Sequence, residues 1–402
     1  MTTVLSRRAA AALPLVFAFA GACMTEDAPT DAVDPIAHGD VLATRGWQAA
    51  PSRVAPATPT PITDGSTGRE LPTEELARRA AADPGWKAAD GRRFDALFVA
   101  GDGTAYGRVG EARAMARPTD VETGAYDPGD RRMMETVWYI ILGGTLDSDR
   151  RVRYGTVSQL ESYPLRTVGA LSGDGNTQTS GCTGTMIGPR HVLTAAHCVM
   201  NEDGVISFSG YFNPGQTNLT KTNGGQSRHW SGVMLRDWRV ARRFDYALIY
   251  LDDLPSNPQL GWMGVAWWDD ASGYDGRLAY NKGYPCGPLN SCGVVSHQQC
   301  KASPRSDHRC DGWMYGDSAT LDGNAFTSDA RLEYDIDTSD GHSGSSVYTY
   351  LGDSPAVMAV HYGPNGNSTR NAGSRFRSSM WNDVCTWIAD VPSSYATHAL
   401  CH

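Results

Sequence analysis

The chain has 402 residues, nine cysteines and a formal net charge of −9 at pH 7. This length can bury a substantial core and allows two or three domains, or one large β domain behind a leader. Proteins that bind nucleic acid usually carry a basic face, so the acidic balance argues against a nucleic-acid partner. The generous Gly, Pro, Trp and Tyr content favours a loop-rich globular protein over a helical bundle.

Residues 1–22 have the pattern of an export signal. Arg7 and Arg8 form a charged region, and the apolar run that follows, residues 9–20, is too short to span a bilayer. The small residues before Cys23 fit either an ordinary A-x-A signal-peptidase site or a bacterial lipobox. We therefore expect an exported protein, which is either secreted or anchored to a bacterial membrane by a lipid on Cys23. Setting Cys23 aside leaves eight cysteines, enough for four disulfide bonds in an oxidising compartment.

The region before residue 134 has little signal for a domain of its own. Residues 23–70 are rich in Pro, Thr, Ala and Asp, which predicts a disordered tether. Residues 71–133 hold one short helical signal and a possible strand pair, and we interpret them as a propeptide-like, largely irregular segment. Arginine pairs at 131–132 and 150–151 indicate either processing sites or ordinary surface loops.

From residue 134 to residue 402 the pattern changes to short apolar runs separated by Gly, Pro, Asn and Asp turns. The runs are TVWYIILGG, LRTVGALSG, TGTMIG, HVLTAAH, YALIYLDD, RLEYDI, SSVYTY and PAVMAVHYG. Many short strands at close spacing are typical of a β-barrel or β-sandwich. One stretch, residues 378–390, predicts a helix that starts at serine caps and ends before Pro392.

The most specific string is CTGTMIGPRHVLTAAHC, residues 182–198. A histidine beside a cysteine can be an ordinary buried pair or half of a metal site, but no second Cys/His pair follows at zinc spacing, so we expect no metal. The string resembles the trypsin-like serine proteases, in which T-A-A-H-C carries the catalytic histidine. The resemblance implies that His197 is the general base and that Cys182 pairs with Cys198.

A catalytic imidazole needs a carboxylate that orients it and stabilises its cation. The resemblance implies an aspartate after His197 and before an apolar strand, and FDYALIYLDD supplies it at Asp245. Asp252 and Asp253 are rivals, but they lie beyond the strand and next to Pro255, where a solvated turn is the simpler account.

The nucleophile is expected in a glycine-rich loop, because the backbone there must turn tightly and expose two N–H groups to an oxyanion. Ser343 lies in G-H-S-G-S, which matches the family's G-x-S-G, and the N–H groups of Gly341 and Ser343 are the implied oxyanion donors. That tetrapeptide alone would be only a turn. The order His197, Asp245, Ser343 is that of chymotrypsin-type proteases, whereas α/β-hydrolases and subtilisins use other orders.

Three further strings resemble the bacterial V8-like, glutamyl-endopeptidase branch. They are KGYPCG, EYDIDTSDGHSGSSVY and AVMAVHYG. In that branch a threonine before the nucleophile and a later histidine line the pocket for an acidic side chain, which implies Thr338 and His361 here. A hydroxyl and an imidazolium can receive a carboxylate. Asp337, however, lies six residues before Ser343, where trypsins carry their pocket aspartate, so a preference for basic side chains stays open.

Two features depart from the digestive trypsins. His342 replaces the aspartate that pairs with the new N-terminus in trypsins, so we do not expect that activation step. A four-cysteine cluster lies in the loop before the nucleophile, where it allows three pairings and would stiffen a wall of the cleft. Its members are Cys286, Cys292, Cys300 and Cys310. A bond between Cys385 and Cys401 would attach the C-terminal helix to the end of the chain.

The sequence therefore predicts an all-β fold, a chymotrypsin-like double β-barrel with a C-terminal helix, over residues 134–402. We expect an exported, monomeric serine endopeptidase that cleaves protein or peptide substrates without a cofactor. One alternative is a catalytically silent relative that binds a partner through the same cleft. Another is a surface lipoprotein whose first 130 residues carry the main role.

Overall fold

Short, mostly antiparallel strands are the main regular structure of the described residues, as the sequence pattern predicts. The computed structural model describes residues 42–51, 73–110, 150–172, 181–207, 210–216, 227–252, 260–285, 312–327, 330–338, 341–364, 370–390 and 401. All of them belong to one compact unit of the chain. The expected signal peptide, Cys23, Asp253, the arginine pair at 131–132 and the four-cysteine cluster lie outside the described residues.

Seventeen strands and three α-helices are defined in these residues. The strands are β1 Trp47–Ala49, β2 Ala96–Ala100, β3 Ala105–Arg108, β4 Val152–Tyr154, β5 Val168–Ser172, β6 Cys182–Gly188, β7 His191–Thr194, β8 Tyr211–Pro214, β9 Arg228–Leu235, β10 Ala247–Leu251, β11 Gly264–Val265, β12 Leu278–Gly283, β13 Met314–Thr320, β14 Arg331–Tyr334, β15 Ser346–Leu351, β16 Ser354–Pro364 and β17 Asn371–Arg375. The helices are α1 Thr73–Ala82, α2 Val157–Leu160 and α3 Ser378–Asp390.

The first sheet has nine strands, of which six close into a barrel. β9 pairs with β10 along one edge and with β8 along the other, where Tyr211 lies opposite His229. β7, β6 and β5 complete the ring, and apolar side chains such as Met186, Leu193 and Ile249 are fully buried. Closure pairs the strands all the way round, so the loops at the ends of the barrel are held in fixed positions.

The second sheet has eight strands, in the order β14-β17-β16-β15-β12-β13-β4, with β11 parallel to β16. Among the described strands its hydrogen bonding runs from β14 to β4 without closing on itself. The predicted all-β architecture is thus confirmed, with one closed barrel and a second sheet.

The C-terminal helix α3 begins and ends at the predicted residues. Its Trp387 is fully buried, with its ring centroid 5.8 Å from that of Tyr246, which directly precedes β10. Its Asp383 accepts hydrogen bonds from the Tyr246 hydroxyl and from the Arg236 guanidinium, which lies 2.8 Å away. These contacts fasten the helix to the first barrel. No helix in the described part of the chain is long and apolar enough to cross a bilayer.

Two disulfide bonds lie in the described residues, and both are pairings that we expected: the first is implied by the resemblance, and the second is the bond considered for the C-terminal helix. Cys182–Cys198 joins the start of β6 to the turn after β7, and Cys385–Cys401 joins α3 to the end of the chain. The first bond therefore holds the turn that contains His197 against the barrel wall.

The N-terminal region is more ordered than we expected. The hairpin of β2 and β3 adds to the free part of β9, and β1 adds to β3. Trp86, Phe94 and Phe98 are each about as buried as the barrel core, at 1% exposure. The helical signal and strand pair in residues 71–133 correspond to α1 and to this hairpin, so residues 73–110 are not irregular. Their apolar side chains cover an edge of the barrel that would otherwise face water.

Part of the expected tether is also folded. Trp47 in β1 donates its indole N–H to Asp390 at the end of α3, with 2.9 Å between Nε1 and Oδ2. The Arg108 guanidinium lies 5.3 Å from the Trp47 ring centroid and also pairs with Asp390. Composition alone could not predict this, because the partners of Trp47 come from β3 and from the far end of the chain.

A buried ion network joins the N-terminal region to the first barrel. Arg239, which is 1% exposed, has its Nη2 atom 2.9 Å from Asp83 Oδ2 and its Nε atom 2.9 Å from Asp237 Oδ1. Both carboxylates are almost fully buried, and Asp237 also pairs with Arg93. Buried carboxylates depend on such partners, since an unpaired buried charge is strongly unfavourable.

Arg239→Met is therefore expected to lower the free energy of unfolding by about 3–5 kcal/mol, because it leaves two buried carboxylates without their shared cation. Urea unfolding followed by tryptophan fluorescence measures the change. Asp203→Asn is the matched control: the Asp203–Arg79 pair also joins the two regions but Asp203 is 70% exposed, so its loss should cost less than about 1 kcal/mol. Equal effects of the two substitutions would contradict the role given to the buried network.

Candidate active site

His197 lies in a short 3-10 turn, Ala196–Cys198, that follows β7. The turn is closed by the disulfide to Cys182 and is buried against the barrel, and His197 itself is 8% exposed. A short turn fixed by a covalent bond leaves the imidazole little freedom to move.

Asp245 lies two residues before β10 and faces His197. Its side chain is completely buried; Oδ2 is 2.9 Å from His197 Nδ1, and Oδ1 accepts the His197 backbone N–H at 3.0 Å. A carboxylate can only accept, so Nδ1 carries a proton and Nε2 is left as the acceptor when the ring is neutral. This is the tautomer that a general base requires. The rival Asp252 pairs instead with the exposed His229.

A guanidinium that the sequence analysis did not identify adjoins this pair. Arg242 Nη1 is 3.4 Å from Asp245 Oδ2, and its guanidinium lies over the rings of Trp238, at 5.0 Å, and Tyr362, at 5.8 Å. Trp238 in turn meets the His197 ring edge to face at 6.1 Å. Burial alone would raise the pKa of Asp245, but the charges of His197 and Arg242 outweigh it and hold the pKa below its usual value.

Ser343 lies in a tight loop between two glycines with left-handed backbone. Gly341 has φ +90° and Gly344 has φ +84°, values that side-chain-bearing residues rarely adopt. A Cβ on Gly344 would come within 2.1 Å of Thr194 Oγ1 and 2.9 Å of the Ala195 nitrogen. The loop therefore packs directly on the segment that leads into His197.

Thr183 holds the same loop from the barrel side. Its backbone N–H donates to the Ser343 carbonyl at 2.8 Å, and its hydroxyl donates to the Gly341 carbonyl at 2.8 Å. The N–H groups of Gly341 and Ser343 donate no hydrogen bond within the described residues, and the Ser343 hydroxyl makes none there either. Thr183 binds the carbonyl groups of Gly341 and Ser343, which leaves the N–H groups of these two residues available to an oxyanion.

His361, one of the implied pocket residues, lies in β16 and is 2% exposed. Its Nδ1 is 2.6 Å from the Tyr334 hydroxyl. Burial, with a smaller contribution from the nearby His197, lowers the pKa of His361 to about 3. This low pKa favours an uncharged ring near neutral pH, whereas the resemblance implied an imidazolium that receives a carboxylate.

Asp337 and Thr338 lie side by side ahead of the Ser343 loop, and both are partly buried. The Asp337 carboxylate already has a partner, because the backbone N–H of Arg150 donates to its Oδ2 at 2.7 Å and Arg150 Nε lies 3.3 Å from the same oxygen. Arg151 is buried, with its guanidinium 5.9 Å from the Tyr315 ring centroid. The arginine pair at 150–151 is thus packed against the second sheet rather than presented as an open loop.

One cluster of residue types that could hold a metal ion lies in the described part of the chain: Cys182, His197 and Cys198. The two sulfur atoms are bonded to each other, so they offer no thiolate to a metal. These three residues do not fit a metal site.

Comparison with known proteins agrees with this geometry. The family model described as Trypsin matches residues 155–384, more than half of the chain. The chain belongs to the trypsin family and is a serine endopeptidase; the predicted recognition of a trypsin-like protease near the V8-like branch is confirmed.

Individual relatives are distant. An extracellular metalloprotease of Bacillus subtilis is 26% identical over 250 residues, which cover 60% of this chain and 69% of that protein. A glutamyl endopeptidase of Bacillus licheniformis is 23% identical over 345 residues, 84% of this chain and 90% of that protein. A solved structure of a Glu endopeptidase in complex with MPD shares 23% identity at a TM-score of 0.43, covering 57% of this chain and 91% of that chain.

Arg242→Gln is expected to move the acidic limb of the pH profile of kcat/KM to higher pH by roughly half a unit. The guanidinium beside Asp245 opposes a second positive charge on His197, so its loss makes the imidazolium easier to form. Steady-state kinetics between about pH 4 and pH 9 measure the pH at which kcat/KM falls on the acidic side. Arg243→Gln removes the same charge from the exposed neighbour that stacks on Phe244 and should leave the limb in place. Coincident profiles for the two variants would contradict the role of Arg242.

Proposed function

We propose that this endopeptidase hydrolyses peptide bonds through Ser343, His197 and Asp245. The observation that carries the proposal is the fully buried Asp245, which binds both the ring and the backbone of His197. The Ser343 loop packs on the residues just before that histidine. Chain order and family membership add independent support.

The reaction follows from the position of each group. Ser343 Oγ attacks the peptide carbonyl carbon while its proton passes to His197 Nε2, and Asp245 stabilises the resulting imidazolium. The negative oxygen of the tetrahedral intermediate accepts hydrogen bonds from the N–H groups of Gly341 and Ser343. The intermediate collapses to an acyl-enzyme when His197 returns the proton to the leaving amine. Water then attacks the ester by the same path and regenerates Ser343.

Ser343→Ala is expected to abolish hydrolysis of casein and of peptide esters and to leave the unfolding midpoint unchanged, since a methyl-sized side chain fits the same loop. Labelling with a fluorophosphonate probe should also be lost. Ser346→Ala is the matched control: the Ser346 hydroxyl is buried in the described structure without a hydrogen-bond partner, so its removal should leave both readouts intact. Turnover by the Ser343 variant, or failure of the wild-type chain to label, would refute the proposal and favour the silent binding protein.

We further propose a preference for glutamate at the cleaved position. Three observations support it: the glutamyl endopeptidase of B. licheniformis is a relative, Thr338 adjoins the Ser343 loop, and Asp337 is paired with a cation of the same chain. A free aspartate at Asp337 would have favoured arginine or lysine.

The wild-type kcat/KM is therefore expected to be higher for peptides with glutamate at the cleaved position than for matched peptides with glutamine or arginine. A peptide library with that position randomised, analysed by mass spectrometry, measures the order. Arginine or lysine at the top of it would reverse the proposal and establish the basic alternative.

Export and domain organisation complete the proposal. We propose residues 134–402 as the protease domain behind a signal peptide, in a protein that is secreted or lipid-anchored through Cys23. One relative is named as extracellular, and two disulfide bonds suit an oxidising compartment. Mass spectrometry of the protein from the native host would contradict export if it found the unprocessed N-terminus in the cytoplasm.

A further inference from the structure

Arg150 is bound to the second sheet by both its main chain and its side chain. The residue precedes β4, which pairs with β13. Its backbone N–H donates to Asp337 Oδ2 at 2.7 Å, and its guanidinium spans from the same oxygen, 3.3 Å from Nε, to Asp317 Oδ2, 3.3 Å from Nη2. The guanidinium also donates to the carbonyl of Asp335. These hydrogen bonds and ion pairs together hold the Arg150 side chain in one position.

The two aspartates that Arg150 joins also contact each other. The Asp337 backbone N–H donates to Asp317 Oδ2 at 2.9 Å, so the two acidic residues and the arginine form a closed network. Asp317 is 9% exposed, and burial raises its pKa, although hydrogen bonding from Asp337 and the charge of Arg150 oppose the shift. Without Arg150 the two carboxylates would lie together in this partly buried place without the cation that joins them.

Asp337 lies on the same segment as groups next to the active site. Tyr334, three residues earlier, meets the ring of His361, and Thr338 follows directly. Ser343 is six residues further on. Asp337 therefore belongs to the segment to which the resemblance assigns the pocket.

We propose that Arg150 is a specificity residue. By pairing with the Asp337 carboxylate it prevents arginine and lysine side chains of substrates from binding there, so that the pocket accepts acidic side chains. The inference rests on the proposed serine protease function and names the residue that sets its substrate class.

The exclusion works by competition. A substrate arginine or lysine would have to displace Arg150 from Asp337, and Arg150 is tethered by β4 at a high effective concentration. A substrate carboxylate gains from the same pair, because a bare Asp337 would repel it and the pair with Arg150 cancels that charge. Arg150 thus lowers kcat/KM for substrates with a basic side chain and raises it for substrates with an acidic one.

The test measures kcat/KM for matched peptides with glutamate, glutamine or arginine at the cleaved position. Arg150→Gln is expected to raise the arginine-to-glutamate ratio by at least about tenfold, the factor that corresponds to 1.4 kcal/mol at 25 °C. Asp337→Asn, which keeps the cation and removes its partner, is expected to shift the ratio in the opposite direction. The double variant should return close to the wild-type ratio.

Arg370→Gln is the matched control. Arg370 is another arginine of the second sheet, which pairs with the half-exposed Asp335 and Asp322, so the same charge is lost without freeing Asp337. Its ratio should stay within about threefold of wild type, because Asp337 keeps Arg150 as its partner and the carboxylates that lose Arg370 are half-exposed.

The outcomes separate this inference from the proposed function. If all variants label with the fluorophosphonate probe but Arg150→Gln and Arg370→Gln give the same ratio, the specificity role is wrong and the serine protease assignment stands. If Arg150→Gln is too unstable to label, the opposite shift of Asp337→Asn still decides: a larger glutamate preference supports the role, and an unchanged ratio overturns it. A wild-type chain that neither labels nor hydrolyses any of the three peptides overturns both.

Discussion

The arrangement of the candidate active site depends on the buried contacts of Thr183 between the closed barrel and the second sheet. Thr183, near the start of β6, donates from its N–H to the Ser343 carbonyl and from its hydroxyl to the Gly341 carbonyl, and it accepts the N–H of Tyr284 after β12. Gly344 then packs on Thr194 and Ala195 at a distance that admits no side chain. Because β7 and the Cys182–Cys198 bond fix His197 in the barrel, these contacts bring the serine loop to the histidine.

Buried carboxylates in the first barrel are paired with positively charged or imidazole side chains. Each deeply buried carboxylate near the first barrel has a cation or a histidine beside it: Asp245 has His197 and Arg242, and Asp237 has Arg239. Such groups are costly to bury alone, so pairing is a condition of folding as well as of function. The N-terminal region shares this network through Asp83, and it completes the edge of the barrel through the hairpin of β2 and β3. It is thus packed as part of the protease body.

The proposed pocket residues are either uncharged or paired with an opposite charge. His361 is an uncharged imidazole at neutral pH because it is buried beside Tyr334 and near His197. The Asp337 carboxylate is paired with the Arg150 guanidinium. In the proposed function, a substrate carboxylate would therefore be bound by hydrogen bonds from uncharged donors and would not be repelled by Asp337.

Local patterns in the sequence determined much of this protein. Short apolar runs between turn residues predicted the strands, serine caps and Pro392 bounded α3, and three motifs in one order indicated His197, Asp245 and Ser343. These signals are local because a strand, a helix cap or a tight turn depends on adjacent residues. Only the tertiary structure decided the rest: that residues 42–51 and 73–110 fold against the barrel, that burial lowers the pKa of His361, that Arg242 adjoins Asp245, and that Arg150 pairs with Asp337. Each depends on a partner brought close by the chain fold; Arg150 and Asp337 are 187 residues apart, and no periodicity or motif in the sequence links such distant positions.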